Sequence, residues 1–477
     1  MAASLQTRRL RTPVLVATVL FFALGGCATV EVPKLPTGDL PAHWRNAPQL
    51  GGKPDLTGWW THFHAPDLNA LVERALHDNL GVQQAVWKLR AARALEDASA
   101  TAFKPTLSFN TIEEPNPQNT ASYFQAGFDA TWELGLFGRR DANGHIAEAQ
   151  TGAAKAELQS ARVSLVAEVV REFLELRAAQ RSEALLEAAA QAAEQKVDLL
   201  RVRQRLQLGS RAEVEQAEAA AEKAGAQLAG PRMAIVQHAQ TLALLVGKSE
   251  PNPAWLQPQP LPRLAAANIT AVPASLLRTR PEIRYAETQV LKAAGEVGIA
   301  EADLYPQLAL GSSLTFAALV TGRTRLGDVN DTFAIGPIIN IPLFDWGRRR
   351  AVRDARDDQL QAALLAYRQA VLEGAAEVET DLAALHVSGE RVRHAEAAAA
   401  ASDRGFEAQK KLQGLGQADA MELADARVAF TEAELDREQA RLAHGLAYVA
   451  LYKALGGAPL PAMNPPADGE RTGETRP

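Results

Sequence analysis

Four landmarks recur in the same order along the 477-residue chain at a nearly constant offset, and this constrains the fold more than any other feature. Trp132-Glu133-Leu134-Gly135-Leu136-Phe137-Gly138-Arg139-Arg140 is echoed by Ile341-Pro342-Leu343-Phe344-Asp345-Trp346-Gly347-Arg348-Arg349, with Gly138 and Gly347 209 residues apart. Leu208-Gly209 is echoed by Leu415-Gly416 at 207, Leu245-Val246-Gly247 by Ala454-Leu455-Gly456 at 209, and Lys104-Pro105 by Tyr305-Pro306 at 201. So long a period marks a duplicated domain, because solenoid units repeat every ~20–50 residues. Each copy follows one plan. A moderate helix (66–101 and 281–304) is stopped by proline, and two strand-like segments follow. A Gly-Arg-Arg turn opens a very long helical run (141–208 and 348–413), a glycine break reverses the chain, and a second helix returns (212–246 and 418–455). Gly225 and Gly230-Pro231 are expected to break or kink the first return helix. The chain then divides into a leader over 1–26, an extended segment over 27–65, a first repeat over 66–247, a Pro-rich linker over 248–275, a second repeat over 276–457 and a polar tail over 458–477.

The strand-like segments alternate with period two. Phe124, Ala126, Phe128, Ala130 and Trp132 share one face, as do Leu308, Leu310, Leu314 and Phe316, and Phe333, Ile335, Pro337, Ile339, Ile341 and Leu343. Mostly small or polar residues lie between them, Ile338 being apolar. The first segment alternates only weakly, through Leu107, Phe109 and Thr111. Segments of about ten residues with one apolar face fit a transmembrane barrel, although a soluble half-buried sheet gives the same alternation. Four strands cannot close a barrel, and lipid does not tolerate open edges. Chains must therefore share one barrel: two would supply eight strands, three twelve.

The long helical runs read as coiled coil. Leu360, Leu364, Tyr367, Val371, Val378 and Leu385 fall on heptad positions, interrupted by Gly374 and Asp381, and Val163, Val166, Val170 and Phe173 do the same in the first copy. Some 65 helical residues would reach roughly 100 Å, far beyond what a globular core needs. Aromatic residues are scarce at 6%, which agrees with a helical wall in place of a thick core.

The N-terminus carries Arg8, Arg9 and Arg11, an apolar run from Val14 to Leu24, and then Leu24-Gly25-Gly26-Cys27. This is a secretory leader by shape, and its apolar run is too short to span a bilayer. Cys27 is the sole cysteine, so no internal disulfide can form, and its position after small residues makes it the lipidation site of a lipoprotein. The net charge of −6 becomes more negative once the leader is removed, and no basic block remains to bind nucleic acid. No phosphate loop or nucleophile elbow is present, and an enzyme is not expected. His62 and His64 form only a weak metal pair, without a third ligand.

The mature chain resembles the TolC-like outer-membrane factor family, in its lipoprotein branch of multidrug efflux outlets. Gly58-Trp59-Trp60, Phe63, Pro66-Asp67-Leu68, Leu71, Ala75-Leu76 and Asn79 look like that family's first-helix signature. Trp132-Glu133-Leu134 with Leu136-Phe137-Gly138-Arg139 looks like its barrel-exit signature, with Gly135 where Asp is usual, and Pro342-Leu343-Phe344-Asp345 with Gly347-Arg348 fits as well. The resemblance implies an α+β membrane protein: a homotrimer with a twelve-stranded β-barrel in the outer membrane and a long α-helical coiled-coil barrel in the periplasm. It implies a passive channel-tunnel in a tripartite pump, with a periplasmic adaptor (membrane fusion protein) and an inner-membrane RND-type transporter as partners. Ala28 after the lipidated Cys27 favours the outer membrane, and the lipid on Cys27 is the sole covalent group expected, with no cofactor. The outlet of a type I secretion system would share the architecture. A pore-free coiled-coil lipoprotein would share the helices, but the alternating strands argue against it.

A duct of this kind needs a gate, and polar passages use charged rings. Glu422 and Asp425 follow Gly416 by six and nine residues, and Glu215 and Glu218 follow Gly209 by the same spacing. Positions three apart share a helix face. The resemblance places acidic rings of the periplasmic aperture at Glu422 and Asp425, where three chains would crowd six carboxylates, attract cations and make closure sensitive to pH and salt. The alternative for all four is a solvated acidic face. The family's latching Arg is missing, with Ala418 in its place. The hairpin tips at Leu208-Gly209-Ser210 and Leu415-Gly416-Gln417 resemble the adaptor-docking site, and an ordinary helix cap needs the same glycine.

Overall fold

The structure, a computed structural model, describes residues 32–35, 44–46, 56–114, 121–264, 280–321 and 325–458. Cys27, the expected lipidation site, lies outside the described residues. A 3-10 turn at Trp59–Phe63 precedes α1 (Pro66–Asp78) and α2 (Leu80–Thr101). Strands β1 (Thr106–Glu114) and β2 (Ala121–Glu133) lead into α3 (Arg139–Arg205), which turns into α4 (Arg211–Ala226) and α5 (Ala229–Leu245). Helix α6 (Pro281–Ala302), β3 (Gln307–Thr321), β4 (Arg325–Asn340), α7 (Arg348–Gly414) and α8 (Ala420–Ala454) follow. Among the described residues no helix is long and apolar enough to cross a membrane.

One difference from the sequence pattern, and one break that the pattern predicts, have local causes. The expected single helix over 66–101 is two, because Asn79 leaves the helical region (φ −65°, ψ 124°). Its side chain accepts from the Val82 amide at 3.0 Å and donates to the Leu245 carbonyl at 2.9 Å, so one residue caps α2 and ties it to the end of α5. The first return helix breaks at Gln227 and Leu228, where amides of both residues turn back on Lys223 and Gly225 carbonyls. Pro231 then falls in the first turn of α5, where a missing N–H costs nothing.

The chain forms two compact units. The first comprises 88–155 and 285–369 and holds the sheet, antiparallel in the order β1-β2-β3-β4. Its register aligns one apolar row across all four strands: Phe109 opposite Phe128, Phe128 opposite Leu314, and Leu314 opposite Phe333. The rings of Phe109 and Phe128 lie 5.0 Å apart. Phe109, Phe128 and Phe333 stay 57%, 44% and 65% exposed, so the face that a soluble sheet would bury is open in the single chain. The opposite row is Asn110, Gly127, Thr315 and Thr332, and Asn110 donates to Asp129 at 2.9 Å. Weakly alternating β1 is a full member of the sheet. The offset of 201 at the prolines also has a cause: β3 and β4 have 15 and 16 residues where β1 and β2 have 9 and 13.

The turn into α3 explains the glycine at 135. Gly135 has φ +58°, and a Cβ there would meet the Phe103 ring at 2.6 Å. Phe137 stacks on Tyr305 at 4.9 Å, Trp132 donates to the Phe103 carbonyl at 3.0 Å, and Arg139 pairs with Glu133 and Asp303. Restoring the usual family residue with Gly135→Asp therefore strains the backbone and displaces Phe103. A fall in stability of about 1–3 kcal/mol is expected, read as a lower melting temperature. An unchanged melt would refute the clash.

The second unit, 38–87, 156–284 and 370–477, carries the helical packing. Val163, Val166, Val170, Phe173, Leu360, Tyr367, Val371, Val378 and Leu385 are buried at the expected heptad positions, Leu360 and Tyr367 of these belonging to the first unit. Trp59, fully buried, stacks on Tyr452 at 5.4 Å and donates to the Gly457 carbonyl at 3.0 Å, so the N-terminal signature docks on α8. Buried Arg177 donates to the carbonyls of Trp255 at 3.2 Å and Gln257 at 3.0 Å, which fixes the Pro-rich linker against α3.

The heptad interruptions on α7 also have a reason. Arg280 donates to the Gly374 carbonyl at 3.2 Å and pairs with Glu377. Asp381 is half-buried. Burial, with the Glu377 charge one turn away, pushes its carboxyl up to about 6, against a partial offset from Arg280. The folded chain thus holds this proton more tightly than the unfolded chain, whose carboxyl has the ordinary value of 3.8. Stability therefore falls as pH rises through that window and stays lowered above it. Asp381→Asn should raise the melting temperature at pH 7.5 and leave it nearly unchanged at pH 4. Equal shifts at both pH values would contradict the assignment.

Candidate functional site

The two helical hairpins end in the same backbone device. At the end of α3, Gln207 has φ +59°, and the Leu208 amide donates back to the Arg203 carbonyl at 2.8 Å. At the end of α7, Gly416 has φ +69°, and the Gln417 amide donates to the Leu412 carbonyl at 2.9 Å. Both are Schellman-type ends, which need a left-handed residue. The next helices open alike. Ser210 caps α4 and forms a capping box with Glu213, while Asp419 caps α8 and forms one with Glu422.

These motifs correct the register read from the glycines. Gln207 stands to Gly416, and Ser210 to Asp419, at an offset of 209, so Gly209 is not the turn residue equivalent to Gly416. Glu422 consequently matches Glu213, and Asp425 matches Gln216; Glu215 and Glu218 are out of step with them by two residues. The glycine misled because a Gln adopts the left-handed conformation in the first hairpin.

Each acidic candidate has a partner within the chain. Glu422 accepts from its own cap at Asp419 (3.2 Å) and from Gln409 across the hairpin (3.1 Å). Asp425 pairs with Lys196 of α3 at 2.6 Å. Glu218 pairs with Arg201 at 2.8 Å, and Glu215 with Arg211 one turn earlier at 2.8 Å. Glu215 and Glu218 line a cavity of about 660 Å3 with Glu194, Asp198, Arg201 and Glu222. The exposed capping carboxylate Glu213 is held below the usual range by hydrogen bonds from the Ser210 backbone and side chain. Beneath this polar surface Val197, Leu200, Val214 and Ala217 form an apolar cluster with Met421 against it, which fixes the start of α8 beside α3 and α4.

At the tips Leu208 is 67% and Leu415 72% exposed, with Leu206 also open, so the hairpin ends present apolar side chains to solvent. Lys196 and Gln409 were invisible to motif reading, since they reach the carboxylates from other helical segments. Near the N-terminus His62 Nδ1 lies 2.9 Å from the Trp59 carbonyl, and His64 ends the 3-10 turn with φ +49°. The two serve the local turn.

Residues 71–248 and 272–457 match the family model described as outer membrane efflux protein. The chain is 28% identical over 395 residues to nodulation protein T of Rhizobium leguminosarum bv. viciae, covering 80% of this chain and 81% of that protein. It is 26% identical over 454 residues to the pyoverdine export outer membrane protein OpmQ of Pseudomonas aeruginosa, covering 91% and 94%. Among solved structures it superposes on the outer-membrane channel OprN with a TM-score of 0.77 at 28% identity, covering 91% of this chain and all of that one.

Proposed function

The chain belongs to the outer membrane efflux protein family, and from that premise we infer that it is the outer-membrane channel-tunnel of a tripartite efflux pump, conducting small toxic compounds passively to the exterior. The observation that carries the reading is the apolar row Phe109, Phe128, Leu314 and Phe333, its three phenylalanines exposed, across a sheet with two open edges. Open edges and exposed aromatic rows are both satisfied when chains close one barrel in lipid. Three copies give twelve strands, with Asn110, Thr315 and Thr332 facing the lumen. Lipid on Cys27 anchors each chain to the outer membrane. A periplasmic adaptor, itself held by an inner-membrane transporter of RND type, docks at the exposed tips around Leu208, Gly209, Ser210, Leu415, Gly416 and Gln417. Glu422 and Asp425 line the aperture, and Lys196 supplies the ionic tie that the Arg missing at Ala418 would give. Glu215 and Glu218 contribute charge to the cavity they line.

Native mass spectrometry of the detergent-purified mature protein tests the assembly. Three chains, each carrying a diacylglyceryl group that Cys27→Ser removes, are expected. A monomer, or a dimer with eight strands, would overturn the twelve-strand reading.

A further inference from the structure

A second cluster of ionisable groups lies away from the aperture. Glu172 and Glu175, three apart on one face of α3, meet His238 of α5. Among the described residues these form the one group of three or more His, Cys, Asp or Glu whose donor atoms all lie within 4.8 Å of one another. His238 Nδ1 is 2.7 Å from Glu172 Oε2 and 3.3 Å from Glu175 Oε2. Arg171 approaches the other oxygens, Oε1 of Glu172 at 2.9 Å and Oε1 of Glu175 at 3.8 Å, and also pairs with Glu168. The guanidinium thus lies nearest one oxygen of each carboxylate, and the imidazole approaches the other. Outer partners of metal ligands work in this way, orienting the donors and fixing their charge.

The setting also suits a cation. The Glu172 side chain is 6% exposed and Glu175 lies beside it on the same helix face, so two carboxylates meet at one spot where a bound cation would add to Arg171 in offsetting their repulsion. A solvent-open cavity of about 450 Å3 borders Glu175 and His238 and is lined also by Pro231, Glu438, Gln439 and Leu442, leaving room for water to complete a coordination shell. Bonds of about 2.0–2.2 Å need donors roughly 3–4 Å apart, which the observed spacing meets with small rotations. Imidazole with carboxylates and no thiolate selects a first-row divalent ion over Mg2+ or Ca2+.

We propose that Glu172, Glu175 and His238 bind one zinc-class divalent cation per chain and that the bound ion clamps α5 to α3. The binding is independent of conduction, so it stands or falls apart from the channel reading.

The mature full-length protein, stripped with chelator, is titrated with Zn2+ by calorimetry and with Co2+ by absorbance. One equivalent per chain is expected, with ligand-field bands for Co2+ and a higher melting temperature on Zn2+ addition. His238→Ala should weaken binding at least about tenfold and abolish the melting shift. His386→Ala, which alters an exposed histidine on α7, should change neither. If His238→Ala does not fold, Glu175→Gln at the cavity edge carries the same test. Absence of binding by the folded wild type, or affinity indifferent to these ligand changes, would overturn the site and leave an ion-paired triad.

Discussion

Phe128→Arg and Phe333→Arg are expected to remove the protein from the outer membrane. Both side chains sit mid-strand in the apolar row that crosses the whole sheet. An arginine on the lipid face near the bilayer midplane costs about 2–4 kcal/mol, and three chains multiply it to roughly 6–12 kcal/mol per assembly. Each 1.4 kcal/mol is about a factor of ten, so at least four orders of magnitude in the assembled fraction are at stake. Thr315→Arg, on the opposite face of β3, points into water in this account and should be tolerated. Membrane fractionation and immunoblotting read the outcome. Equal loss for Thr315→Arg and Phe128→Arg, or normal assembly of all three variants, would show that the row does not face lipid.

The second large effect is on ion selectivity at the aperture. In a trimer, Glu422 and Asp425 place six carboxylates near three Lys196 ammoniums, leaving an excess of negative charge from these residues. Glu422→Gln with Asp425→Asn leaves only the ammoniums and should turn a cation-preferring aperture toward anions. Lys196→Gln should do the reverse and sharpen cation preference. The amides are the right replacements for a physical reason. Glu422 closes the capping box of α8, and Gln can still accept from the Asp419 amide, whereas Glu422→Ala would remove the reciprocal half of that box and confuse gating with fraying. Opposite shifts of the reversal potential in a salt gradient are the expected result. Identical potentials for all three proteins would move the constriction elsewhere.

Period and offset made the architecture legible. The alternating faces of β2, β3 and β4, the heptad burial along α3 and α7, and the helix breaks near Gly225 and Gly416 all follow from side-chain period and backbone stereochemistry. What escaped depended on partners distant in sequence or on residues acting out of type. Asn79 splits a helix because its amide reaches Leu245. Gln207 takes the conformation a glycine was expected to fill, and so shifted the pairing of Glu215 and Glu218 against Glu422 and Asp425. Lys196 lies 229 residues from Asp425, and His238 lies 66 from Glu172, on helices whose own patterns show no sign of the contact. Helical periodicity reports which face is apolar and is silent on which charged side chains meet across it.

The central claim is that assembled chains form one continuous water-filled duct. Single-channel recording of the purified wild-type protein in a planar lipid bilayer tests it most directly. Discrete current steps of uniform size with cation preference are the predicted result. Insertion of folded protein into the bilayer without any current steps would contradict the claim and leave a coiled-coil lipoprotein without a pore.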